Sequence, residues 1–234
     1  MAPWCASRRL THILSVGGVD RSGSQALWKN EQISSYKLTI DSTEQLSSFV
    51  KMILAAMRSS YSSLTSEWGS EALQWAINPH SNLHMASRSF QIFRALNPPA
   101  SEDAVKQLLA RQCTHLQSRS ANPSQSLTIS IEIAETLQAL IKSSSAPVLG
   151  NLPHLFWGAC AMLETNVAEE YICYVKLLCH YQSKVDINNA ITQHSLLSIQ
   201  PTERPFSGVI PLVLKGMAYP GTVHSLSLSF SVCD

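Results

Sequence analysis

The chain has 234 residues, enough for one large domain or two small ones, with 45% hydrophobic residues and 14% charged residues. Its net charge of +1 excludes a strongly basic nucleic-acid surface or an acidic tail as the defining feature. No apolar run approaches the ~20 residues that span a bilayer.

Serine, with 35 copies, occupies much of the place that charged residues usually take. Met1-Ala2-Pro3-Trp4-Cys5 lacks the charged lead and apolar stretch of a signal peptide. Cys5, Cys113, Cys160, Cys173, Cys179 and Cys233 show no CxxC pairing, which points to a reducing compartment, the cytosol.

Residues 1–40 read as irregular, punctuated by Gly17-Gly18 and Ser22-Gly23, with a short helix around Trp28. From Asp41 onward the pattern is helical. Leu46, Phe49, Val50, Ile53, Leu54 and Met57 recur at steps of three and four, behind cap oxygens on Asp41 and Ser42. A second helix starts near Ser66, carries Trp68, Ala72, Trp75 and Ala76, and stops at Asn78-Pro79. A third runs from about Asn82 to Leu96 with Leu83, Ala86, Phe90 and Phe93 on one face, closed by Pro98-Pro99. So short a turn makes the second and third helices an antiparallel hairpin.

Ser101-Glu102-Asp103 opens a fourth helix with Val105, Leu108, Leu109 and Leu116. Pro123 stands at the first position of a fifth, marked by Ile131, Ala134 and Leu137 and ending near Ser143. Pro153 opens another with Phe156, Ala159, Cys160 and Leu163, and Asn166 caps the next, with Tyr171, Val175 and Leu178. A weaker helix spans Ile187 to Ser198. Pro205 opens one with Val209 and Val213, and Thr222 caps a last one through Leu226. The Leu-Ser alternation from Leu226 to Phe230 is the only strand-like pattern. Helix pairs at this spacing suit either a HEAT/armadillo-like stack or a compact bundle.

No catalytic, cofactor-binding or metal-binding residue is assigned, and no partner-binding residue either. There is no G-x-S-x-G elbow. Cys179-His180 are neighbours on a helix and do not face each other. His80 and His84 straddle a turn and lack the glutamate of H-E-x-x-H. Of Arg88 and Arg94, on the helix of Phe90 and Phe93, one or both read as packing residues whose heads cap carbonyls of a neighbouring helix.

Three stretches resemble the Furry family of cell-morphogenesis proteins. The first is Glu67-Trp68-x-x-x-Ala72-Leu73-x-Trp75-Ala76 followed by His84-Met85-Ala86-x-Arg88 and the octapeptide Ser89 to Leu96, SFQIFRAL. The second is Leu155-Phe156-Trp157-x-Ala159-Cys160-Ala161, then Glu169-Glu170-Tyr171. The third is Phe206-Ser207-Gly208 through Leu214-Lys215-Gly216, and Trp28-Lys29-Asn30-Glu31 carries a fainter likeness.

The resemblance implies an all-α fold, with antiparallel helix pairs stacked as a HEAT/armadillo-like solenoid segment over residues 41–234. It implies a fragment of a much longer product, from the C-terminal cell-morphogenesis region. It places Trp75, Phe90, Phe93 and Trp157 as buried area between helices, and Gly208 and Gly216 at helix ends or tight inter-helix contacts. By the same resemblance the chain is a non-enzymatic scaffold without cofactor. It supports NDR-type kinase signalling with a Mob adaptor in polarised growth and cell-projection outgrowth. The alternative is an adaptor for microtubules or other cytoskeletal partners. Location is then the cytoplasm, the cytoskeleton or the cell cortex, with neither nucleic acid nor membrane insertion.

Overall fold

The computed structural model describes residues 43–57, 61–117, 123–199, 206 and 208–216. Among them there are ten α-helices and no strand: α1 (Thr43–Met57), α2 (Leu64–Ile77), α3 (Leu83–Leu96), α4 (Glu102–Gln117), α5 (Pro123–Ser143), α6 (Ala146–Gly150), α7 (Pro153–Met162), α8 (Ala168–Gln182), α9 (Ala190–Ser198) and α10 (Val209–Lys215). The helix expected at Trp28, the Asp41/Ser42 cap, Pro205, the Thr222-capped helix and the Leu-Ser alternation lie outside the described residues.

The helices group into two compact units, one of residues 43–98 and 111–136 and one of residues 99–110 and 137–216, as far as described. In the first, α2 and α3 form the hairpin, and α1 packs on α3. Its core holds Leu46, Val50, Trp68, Ala72, Phe90, Ile92, Phe93 and Ile133, all at most 3% exposed. Asn78 leaves helical geometry at ψ 120° ahead of Pro79, which ends α2. Asn82 caps α3 by accepting from the Met85 N–H. Asn97, at φ 50°, ends α3 in the left-handed conformation, before the proline pair is reached.

In the second unit α7 and α8 pair, and α9 lies on α7 and α6. Leu155, Ala159, Leu163, Tyr171, Tyr174, Leu177 and Tyr181 are at most 1% exposed.

Four local expectations change. On α5 the expected Ala134 and Leu137 are buried, together with Ile129, Ile133, Leu140 and Ile141, but Ile131 is only half-buried. The polar neighbours Glu132 and Thr136 are buried in its place, because they bond to α3. The short helix α6, between the expected helix end near Ser143 and Pro153, was not anticipated. The side chain at the start of α8 is Thr165 rather than Asn166: its hydroxyl accepts from the Val167 N–H and donates to Glu170 Oε2 at 2.7 Å. Finally, α10 begins at Val209, behind Gly208 at φ 100°, a conformation that favours glycine.

Within each unit, side chains bond to the next long helix but one, at a recurring sequence offset. In the first unit Gln91 reaches Glu132, 41 residues on. In the second, Gln138 reaches Cys173 over 35 residues, Trp157 reaches Leu196 over 39, and Tyr171 reaches Val213 over 42. A repeating offset of this size is how stacked helical repeats contact their neighbours. The fold is all-α and solenoid-like, as expected, with the period carried by hydrogen bonds.

Candidate functional site

Within each unit, the sequence stretches singled out above carry contacts between helices. In the first unit, buried Arg88, Gln91 and Glu132 and half-buried Arg94 form a relay between α3 and α5. The Arg88 Nη1 donates to Gln91 Oε1 at 3.0 Å, and Gln91 Nε2 donates to Glu132 Oε1 at 3.1 Å. Arg94 Nη1 lies 2.7 Å from Glu132 Oε2, and Nη2 lies 3.2 Å from Glu135 Oε2. The same Nη1 donates to the Thr136 hydroxyl and the Glu132 carbonyl at 3.1 and 3.2 Å. Arg88 is 0% exposed and Gln91 4%. Both arginines pack as expected, but neither head is seen at a helix end: Arg94 binds a carbonyl inside α5, and Arg88 bonds to Gln91 of its own helix.

The polar half of the SFQIFRAL octapeptide thus points at α5 and its apolar half fills the core. Glu132 was not singled out in the sequence. Its signal was an acid between the buried Ile129 and Ile133 positions, one face of a helix that otherwise reads as apolar.

In the second unit the second and third stretches dock. Phe206 meets Trp157 edge-on at 4.9 Å between ring centroids, and Phe156 at 6.5 Å. Tyr171 donates its hydroxyl to the Val213 carbonyl at 2.8 Å and the Leu212 carbonyl at 3.2 Å. Lys215 answers from the other side, donating to the Glu164 and Thr165 carbonyls at 2.6 and 3.2 Å. A Cβ at Gly216 would collide with the Tyr171 ring, so only glycine lets α10 sit this close.

Trp75 and Trp157 are half-buried rather than core residues. Their indole N–H groups need acceptors, and find Glu71 Oε1 at 2.8 Å and the Leu196 carbonyl at 2.9 Å. Trp68 takes the fully buried place instead. A shallow groove on α2 is lined by Glu71, Gln74, Trp75, Ile77, Asn78 and Pro79.

Chemical capacity is limited by burial. The Cys160 thiol is pushed up to about 12 by desolvation, so the nucleophilic thiolate is scarce at neutral pH. Among the described residues no three His, Cys, Asp or Glu side chains gather as metal ligands, and no helix is long and apolar enough to cross a membrane. Site-resolved alkylation of the native chain should label exposed Cys113 well before buried Cys160. Equal rates at the two sites would contradict the packing of α7.

His115 is a stability probe. Burial, and then the neighbouring Arg111 charge, push its imidazole down to about 4. The folded chain therefore keeps it neutral where the unfolded chain protonates it. That contribution is complete above about pH 6.5 and is lost as pH falls toward 4. The interval corresponds to at most ~3 kcal/mol, and screening at a half-exposed ring reduces it to about 1–2 kcal/mol. Denaturation midpoints at pH 7 and pH 4.5 should converge in His115→Gln relative to the parent chain; an unchanged difference would remove His115 from the account.

The chain matches two family models. Residues 12–128 match the cell morphogenesis central region and residues 153–230 the cell morphogenesis C-terminal region. The first half is thus central-region sequence, not C-terminal as expected, and the junction lies between residues 128 and 153. Cell morphogenesis protein PAG1 of Saccharomyces cerevisiae is 28% identical over 169 residues, 71% of this chain and 7% of that protein. Cell polarity protein mor2 of Schizosaccharomyces pombe is 28% identical over 177 residues, 74% of this chain and 8% of its own length. The chain therefore spans less than a tenth of either relative. No solved structure matches. With one model covering half of the chain and the second following it in order, the chain belongs to the Furry-type family of cell-morphogenesis proteins.

Proposed function

We propose that this chain is a non-enzymatic scaffold segment in cell morphogenesis, a stretch of helical-repeat domain over residues 41–234 that presents surfaces to protein partners. The ordered match to two consecutive cell-morphogenesis regions carries the reading. It is supported by a geometry in which the polar side chains of the matching stretches go into helix-to-helix bonds. The partner we assign is an NDR-type kinase with its Mob adaptor, acting in the cytoplasm or at the cell cortex.

Purified chain, helical by circular dichroism, is titrated against a kinase–Mob complex at physiological salt. Saturable binding is the expected result. Absence of binding, with microtubule co-sedimentation in a parallel arm, would remove the kinase from the proposal and pass the role to the cytoskeletal adaptor reading.

A further inference from the structure

The C-terminal ends of α5 and α8 run side by side in the same direction. Gln138 Nε2 donates to the Cys173 carbonyl at 3.0 Å. Just past the end of α8, Lys184 Nζ donates to the Ile141, Lys142 and Ser144 carbonyls at the end of α5, at 3.0, 2.6 and 3.0 Å. The paired positions advance together, so two helix C-termini meet at one place. Each carries partial negative charge on its free carbonyls.

Bases gather there. Lys176, His180 and Lys184 follow Cys173 at helical spacing, on one stripe of α8 and just past its end. Lys142 stands one turn after Gln138 on α5. Lys142, Lys176 and Lys184 each oppose protonation of His180, adding to its burial, and no carboxylate is among the charges that act on it.

Helix ends account for part of this cluster. The Lys184 ammonium is engaged with three carbonyls of α5. Lys142 and Lys176 are exposed, and among the described residues neither ammonium makes a hydrogen bond or an ion pair. Two uncompensated like charges beside a third stand out in a chain whose net charge is only +1.

We propose that Lys142 and Lys176, flanked by Lys184, form a docking surface for a carboxylate-rich polypeptide segment. The charge type favours that occupant. Lysines are separate point charges, whereas arginine supplies the fork that grips one phosphate in two places. Neighbouring helix axes lie ~8–10 Å apart, a span covered by about three residues of extended chain. An extended acidic segment can therefore place successive carboxylates on α5 and α8 together. Three ammonium groups are too few to track a nucleic-acid backbone.

The probe is a fluorescein-labelled oligoglutamate peptide, titrated by anisotropy against the whole chain at low and at raised salt. The expected result is saturable binding that weakens as salt rises. The double reversal Lys142→Glu/Lys176→Glu should weaken it at least about tenfold. Lys106→Glu, at an exposed lysine already 2.6 Å from Glu102, should change it less than about twofold. Circular dichroism checks that both variants are folded, and Lys142→Gln/Lys176→Gln separates charge loss from charge reversal.

No saturable binding at low salt, or binding indifferent to the double reversal, would overturn the proposal. So would tighter, Lys142- and Lys176-dependent binding to phosphatidylserine vesicles, which would assign the surface to lipid. This inference is independent of the kinase reading: a chain that binds kinase–Mob but not oligoglutamate keeps the first and loses the second.

Discussion

Replacing Glu132 by alanine should lower stability by about 3–5 kcal/mol, among the largest effects of any polar substitution in the described chain. The carboxylate is 7% exposed and serves two α3 residues. Its loss leaves the Arg94 guanidinium, 15% exposed, without its closest counter-charge, and removes the acceptor of Gln91 Nε2. The cost comes from the orphaned partners more than from the lost attraction. Removing the opposing charge as well, in Arg94→Met/Glu132→Leu, should restore much of the loss. Glu135→Ala is the control, because Glu135 touches the same arginine but is 45% exposed. It should cost under about 1 kcal/mol. Equilibrium denaturation followed by helical circular dichroism decides the matter. Equal midpoints for Glu132→Ala and Glu135→Ala would mean that the relay adds nothing to the pairing of α3 with α5.

The relay also marks where sequence reasoning stopped. Hydrophobic periodicity placed α1 to α5 and α7 to α10, because a buried stripe at period 3.6 needs no knowledge of its partner. The helix starts at Asn82 and Pro123 were readable because such signals are local to the first turn. Arg88 and Arg94 were legible as packing residues, but their partners were not. Glu132 lies 38 residues from Arg94, and nothing local to either residue names the other. The same limit explains why Ile131 on α5 is less buried than expected. Ile131 was counted toward the core by its chemistry, whereas Glu132 and Thr136 go inward because α3 presents donors to them. The resemblance placed Trp75 and Trp157 as buried area between helices; their indole N–H groups hold them at the margin. The lysine surface at α5 and α8 was invisible for a further reason: its members come from stretches 34 or more residues apart, and no motif contains them.

The largest effect in the second unit is expected at Tyr171. This side chain is 0% exposed, and its hydroxyl is bonded to α10. Tyr171→Ala should cost about 3–5 kcal/mol, the usual range for emptying a large aromatic site. Tyr171→Phe separates the two roles. It keeps the ring and removes only the hydroxyl, and should cost about 1 kcal/mol. Its effect should be local, because Leu212 and Val213 lose a donor while the α7–α8 core is untouched. Hydrogen exchange should then quicken across residues 209–216 and stay slow in α8. Gly216→Ala reaches the same state from the other side, since its Cβ would displace α10 from the ring. Displacing α10 also withdraws Lys215 from the Glu164 and Thr165 carbonyls, so exchange at the end of α7 should rise in that variant as well. If Tyr171→Phe and Gly216→Ala leave exchange in α10 unchanged, the docking does not depend on the Tyr171 hydroxyl and the Gly216 approach. The burden would then fall on Phe206 against Trp157, and Phe206→Ala would be the substitution that releases the helix.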